Sequence, residues 1–233
     1  MLFVGDVNLG DAGQSTLERR GYDYPFGATK QLIRAADLAV GNLEGPVAVE
    51  GKRNRRKRWS YKMPPKAARA LGRAGFDLMD LANNHIRDCG DVGVKESLRY
   101  LREAGIRPFG AGETPDEAHR AAIVTVRGVR IAFLGYVPPH QLIRGRKVSL
   151  RHHTAYRRRA GAAWGTLANI RRDVRRARRK ADVVVVSLHQ GDRYQRRPAA
   201  FEWTHNRGVI DAGADAVIGH GTHILGPIGT HRG

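Results

Sequence analysis

The chain has 233 residues, 41% of them apolar with seven Tyr, six Phe and three Trp, enough to bury a full core and to exclude a disordered tail. No run approaches the roughly 20 apolar residues of a membrane-spanning helix, and the lone Cys89 excludes an internal disulfide framework. The formal net charge of +19 and pI near 11.0 would draw polyanions of any kind, whether nucleic acid, acidic polymer or phosphorylated substrate. The excess is carried mostly by Arg, which a base composition rich in Arg codons and a plain solvated surface also produce.

Taken in chain order, short β-rich apolar runs alternate with amphipathic stretches, the pattern of strands alternating with helices in an α/β protein. Strands are expected at Leu2–Val4 and Leu38–Val40, followed by an exposed basic loop at Lys52–Arg58 and a helix at Pro65–Ala74. Next come a strand at Phe76–Leu81, a helix at Val92–Ala104 and a helix start at Thr114-Pro115-Asp116-Glu117, with Thr as N-cap and acids in the first turn. Strands at Ala122–Val126 and Val129–Leu134 precede a second basic stretch, Arg144–Arg159, expected to be an exposed loop. From Trp164 to Lys180 the residues Trp164, Leu167, Ile170, Val174 and Ala177 make one apolar helix face, opposite Arg171, Arg172, Arg175, Arg176, Arg178 and Arg179. A strand at Val183–Leu188, a helix at Pro198–Ala212 and a strand at Ala216–Ile218 complete one domain over residues 1–233. The first strand starts at Met1 itself and the sequence runs out soon after Gly221, so a chain shortened at both ends is expected.

Five clusters put polar side chains directly after apolar runs, where α/β sheets bind ligands. They are Gly5-Asp6-Val7-Asn8-Leu9-Gly10, Gly41-Asn42-Leu43-Glu44-Gly45, Ala82-Asn83-Asn84-His85 with Asp88 following, Ser187-Leu188-His189-Gln190-Gly191, and Gly219-His220-Gly221-Thr222-His223. Any one of them alone reads as a turn former, a helix cap or a hydrogen-bonded core residue. Together they offer imidazole, carboxylate and amide oxygen, the ligand set of Mn²⁺, Fe²⁺ or Zn²⁺. The absence of thiolate in these clusters argues against a structural zinc site.

These motifs, GDVNLG, GNLEGPV, LANNHIRDCGDVG, GAGET, VVVSLHQGDRY and GADAVIGHGTHILGPI, stand in an order that resembles the CapA family of capsule (poly-γ-glutamate) synthesis proteins. The domain of that family is related to calcineurin-like metallophosphoesterases. The resemblance implies a four-layer α/β/β/α sandwich holding one or two divalent ions on Asp6, Glu44, Asn84, His189, His220 and His223. It implies His85 as the group that assists the leaving group, oriented by Asp88, and Asn8, Asn42 and Arg193 as substrate contacts, the two asparagines also as possible ligands. The sequence departs from the pattern at Asn8, where phosphoesterases have His, at Gly221, where many relatives have a second His, and at Gln190 and Arg193, where many have Trp and Glu.

The implied activity is metal-dependent hydrolysis or transfer on a polyanionic, polyglutamate-type substrate. A non-catalytic polyanion-binding role in capsule assembly and a phosphodiesterase activity are the alternatives, and membrane-associated capsule machinery is the implied partner. Nucleic acid is a weak candidate, because no recognised motif and few aromatics accompany the basic runs. With no signal or spanning segment the chain reads as cytoplasmic, whereas many relatives are anchored or extracytoplasmic.

Overall fold

The computed structural model describes residues 1–232, in which two four-stranded sheets pack face to face between helices. The first sheet comes wholly from the first half of the chain. Its strands β1 (Leu2–Val7), β2 (Ala39–Leu43), β3 (Leu78–Asp80) and β4 (Arg107–Phe109) lie in that order and are all parallel. Helices α1 (Gln14–Arg20) and α2 (Lys30–Ala35) follow β1, while α3 (Pro65–Ala74) and α4 (Gly90–Glu103) are the crossovers after β2 and β3.

Beyond a two-residue strand β5 (Ala111–Gly112) and a short helix α5 (Pro115–Ala118), the second half builds the other sheet. Strands β6 (Ala122–Val126) and β7 (Val129–Tyr136) form a hairpin, and β8 (His140–Ile143) with β9 (Arg146–Ser149) forms a separate one. Then follow β10 (Gly161–Ala162), which pairs with β5, helix α6 (Leu167–Arg178), β11 (Val183–His189), α7 (Ala200–Asp211) and β12 (Ala216–His220). The sheet order is β12-β11-β7-β6, parallel except for the β6–β7 hairpin.

Side-chain alternation along each strand sorts the core into layers. In β7 and β11, Ile131, Phe133 and Val185 turn toward the first sheet, where they meet Val40, Leu78 and Phe109. Their neighbours Ala132, Leu134, Val184, Val186 and Leu188 turn the other way, onto Ile170, Val174 and Ala177 of α6 and Val209 of α7. On the far side, Leu43 and Met79 pack against Leu71 of α3 and Leu98 and Leu101 of α4. The result is the expected α/β/β/α layering.

Thr166 caps α6 by accepting the Asn169 N–H at 3.3 Å, so the helix starts after Trp164. The stretch Arg144–Arg159, expected as loop throughout, is corrected: Arg146–Ser149 pairs as β9, with Arg144 and Gly145 at φ +52° and +73° making the tight turn. Its cations point to solvent, and that polar surface masked the strand pattern. Lys52–Arg58 has no regular element, as expected, but one of its cations turns inward. Helices α1 and α2 and the short strands β4, β5 and β10 had no distinct sequence signal. Among the described residues no helix is long and apolar enough to cross a membrane.

Candidate metal centre

All parallel strands of both sheets end at one edge of the sandwich, and the five polar clusters are their C-terminal extensions. Strand register pairs Asp6 with Asn42 and Asn42 with Asp80 in the first sheet, and His189 with His220 in the second. The sheet-to-sheet packing then brings the two rows together. His220 Nδ1 lies 3.4 Å from Asp6 Oδ1 and 3.0 Å from His189 Nδ1, and His189 Nδ1 is 3.8 Å from the same Asp6 oxygen. His223 Nε2 sits 3.7 Å from Asp6 Oδ2 and 3.8 Å from Glu44 Oε2.

Two triads result, Asp6, His189 and His220 on one side and Asp6, Glu44 and His223 on the other, each offering ligand atoms within 4.8 Å of one another. Asp6 is common to both. Its Oδ2 and the Oδ1 of Asn84 are buried oxygens without a hydrogen-bond partner, which leaves both free to accept from water or to bind a cation. Oxygen and imidazole donors without sulfur suit Mn²⁺, Fe²⁺ or Zn²⁺, so the residues present fit such a cation.

The buried groups of this cluster shift one another strongly. Burial alone would raise the Asp6 carboxyl, but the His220 hydrogen bond and the charges of His189 and His220 hold it well below the usual carboxylate range. Glu44 is lowered in the same way, against burial, by His223 and His189. Burial pushes His189 down to about 4. His220 is equally buried, yet its bonds with Asp6 and Asp80 carry it up to about 9. His223 is raised by the neighbouring Glu44 carboxylate.

His85 stands beside this cluster, with Nε2 3.8 Å from Glu44 Oε1. Its Nδ1 lies 2.6 Å from Asp88 Oδ2, and since a carboxylate only accepts, Nδ1 carries the proton and Nε2 faces the cluster. The Tyr61 ring stacks on the imidazole at 4.0 Å and 17°. Asn42 is buried as a brace: its amide nitrogen donates to Asp6 Oδ1 at 2.7 Å and its oxygen accepts from Asn83 at 3.0 Å. Asn8 closes the first loop, donating to the Glu44 carbonyl and accepting the Gly10 N–H. Arg193 lies exposed on the rim, near enough for its charge to oppose that of His223.

Sequence reasoning gave no role to three residues here, although Ser187 opens one of the five clusters. Asp80 is 1% exposed, accepts the Ala82 N–H at 2.8 Å and approaches His220 Nε2 at 3.3 Å, while Ser187 Oγ lies 2.9 Å from that same nitrogen. Carboxylates that orient a ligating imidazole in this way sharpen metal affinity. The signal was a charged residue closing the apolar run FDLMDLA, hidden because Asp80 fell inside the expected strand. Lys57 is the third.

A side chain at Gly221 would meet Gln190 O at 3.0 Å and His189 Nε2 at 3.1 Å on a backbone at φ +105°, so a larger residue is not accommodated there without a shift. His223 reaches back over Asp6 through a left-handed backbone at φ +59°. Gly135 and Gly110 press on Asp80 from the opposite sheet and from the turn after β4. A Cβ on Gly135 would fall 2.2 Å from Asp80 Oδ1. Gly135→Ala is therefore expected to cost about 1–3 kcal/mol by overpacking and to dislodge Asp80 from His220, read by a thermal melt and by weakened metal uptake.

The layering defines the class, a metallophosphoesterase-like α/β sandwich. Within it the chain belongs to the bacterial capsule synthesis protein family PGA_cap, whose profile matches residues 1–233. It is 29% identical to the capsule biosynthesis protein CapA of Bacillus anthracis over 232 residues, covering 97% of this chain and 54% of that one. It is likewise 29% identical to the PGA biosynthesis protein CapA of Bacillus subtilis over 233 residues, 99% of this chain and 59% of the relative. A probable polyglutamine synthesis accessory protein of Mycobacterium tuberculosis is 31% identical over 222 residues, 90% and 56% of the two chains. The chain thus spans a little over half the length of these relatives. A crystal structure of a hypothetical protein from Thermus thermophilus shares the fold, at TM-score 0.51 and 19% identity over 95% of this chain and 67% of that one.

Proposed function

We propose that this chain is a metal-dependent hydrolase or transferase of capsule synthesis, acting on a polyanionic polymer of the polyglutamate type. The observation that carries the reading is Asp6, a half-buried carboxylate shared by two ligand triads and left with one buried oxygen that has no hydrogen-bond partner. One or two divalent ions on Asp6, Glu44, Asn84, His189, His220 and His223 would supply an activated water and polarise the scissile group. The chain's own residues would do the rest. Asp88 keeps the Nδ1 proton on His85, so Nε2 is the nitrogen that exchanges a proton with the leaving group. Asn42 and Asn83 hold Asp6 in register, and Arg193 with Asn8 lines the approach for an acidic substrate. The names of the relatives refer to capsule and PGA biosynthesis, which supports the same substrate class.

One surface feature favours a second reading, that of a non-catalytic polymer binder. Arg171, Arg175, Arg176 and Arg179 of α6 and its end are exposed, with no carboxylate partner among the described residues. Mn²⁺-loaded protein incubated with poly-γ-glutamate, and in parallel with bis(p-nitrophenyl) phosphate, distinguishes the readings. The enzyme reading expects turnover that falls about 10²–10⁴-fold in His85→Ala while polymer binding persists. No turnover of either compound, with binding that survives His85→Ala and His189→Ala and decays steeply with salt, establishes the binder instead. Turnover of the phosphodiester alone assigns the phosphodiesterase alternative.

A further inference from the structure

The basic segment between β2 and α3 is fastened at Asp88. Asn54 donates its N–H to the Asp88 carbonyl at 2.7 Å, Ser60 Oγ reaches the same carbonyl at 3.3 Å, and Tyr61 donates its N–H to Asp88 Oδ2 at 2.7 Å. Lys57, at the centre of this segment, turns inward. Its Nζ donates to Asp88 Oδ1 at 2.7 Å and to the Asn84 carbonyl at 2.6 Å, and lies 3.3 Å from His85 Nδ1. Since Nδ1 spends its proton on Asp88, that last approach is a contact between two donors and not a bond. The buried Asp88 carboxylate therefore serves three donors, an ammonium, an imidazole and a backbone N–H, and one side chain from the loop touches the main chain of a candidate ligand as well.

We infer that Lys57 is a positioning residue of the metal centre: it fixes the Asn84 main chain so that the buried Oδ1 stays available as a ligand, and fixes Asp88 so that His85 presents Nε2. This rests on the metal reading above. Lys57 meets neither candidate triad directly, and its firm acceptors are both protein oxygens, so it acts through Asn84 and Asp88. Outer-shell partners of this kind are worth about 10–100-fold in metal affinity. A neutral side chain at this position would strand one side of a buried carboxylate and free the Asn84 carbonyl.

The test titrates MnCl₂ into full-length wild type, Lys57→Met, and Lys57→Cys before and after alkylation with 2-bromoethylamine, which restores an ammonium on a stem of the same length. Cys89 does not compete for the reagent, because it is buried and burial pushes its thiol up to about 11. Mn²⁺ binding about 10–100-fold weaker in Lys57→Met, and recovered in the alkylated but not the unmodified cysteine variant, is the expected result. Affinity within threefold of wild type in Lys57→Met, or no recovery on alkylation, overturns the inference. Should Lys57→Met not fold, Lys57→Gln is read in its place. The ¹⁵N resonances of the His85 ring in metal-free protein give a readout that needs no ion: Lys57→Met is expected to shift them, and unchanged resonances overturn the inference. Wild type that takes up no Mn²⁺ sinks the metal reading separately, and those resonances then decide the role of Lys57.

Discussion

Asp6→Asn is expected to abolish divalent-metal binding altogether, while His223→Ala is expected to leave one site of two. The asymmetry follows from the geometry: Asp6 contributes to both triads, whereas His223 belongs only to the one it shares with Asp6 and Glu44. An amide is isosteric with the carboxylate, so packing against Asn42 and His220 persists while the charge that both triads depend on is gone. The loss should exceed the 10–100-fold typical of outer-shell changes, because a ligand itself is removed. Equilibrium dialysis against Mn²⁺ or Zn²⁺ followed by elemental analysis reads the stoichiometry. A full equivalent of tightly held metal in Asp6→Asn would refute the shared-ligand arrangement.

Asp173→Ala is expected to cost about 3–5 kcal/mol of stability without changing metal stoichiometry. Asp173 is 3% exposed on the inner face of α6 and accepts from His119 Nδ1 at 2.6 Å, Tyr136 OH at 3.1 Å and Arg172 Nε at 2.9 Å. His119 in turn accepts the Trp164 N–H through Nε2, so the network ties the end of α5, β7 and the entry to α6 to one another. Removing the carboxylate leaves the buried Tyr136 phenol and the nearly buried His119 imidazole without their acceptor, while the Arg172 guanidinium, 44% exposed, turns to water; the two stranded groups set the cost. For a chain of this size that corresponds to a melting temperature lower by roughly 6–20 °C, measured by calorimetry. A loss under about 1 kcal/mol would show that water replaces the carboxylate at no great cost.

Much of this was legible in the sequence, and for a physical reason. The apolar runs of β1, β2, β11 and β12 read as strands, and the candidate ligands sit where those runs stop. His189, His220, Asp6 and Glu44 were placed by that rule and meet in the structure. Asp80 escaped it because its carboxylate lies inside the last turn of pairing, where position in a strand gives no hint that the side chain points at His220. Lys57 escaped because a cation in a run of cations looks solvated; only its contact with a residue 31 positions further along singles it out. Asn42 was assigned to the substrate by resemblance, and the structure uses both ends of its amide to hold Asp6 and meet Asn83.

The candidate ligands are divided evenly by origin. Asp6, Glu44 and Asn84 come from the segment that builds the first sheet, and His189, His220 and His223 from the segment that builds the second. Neither half possesses a complete coordination sphere, so a cation held here would also act as a rivet between two consecutively made blocks of polypeptide. Its affinity would add to their cohesion, and chelation would loosen the seam between them before either block came apart.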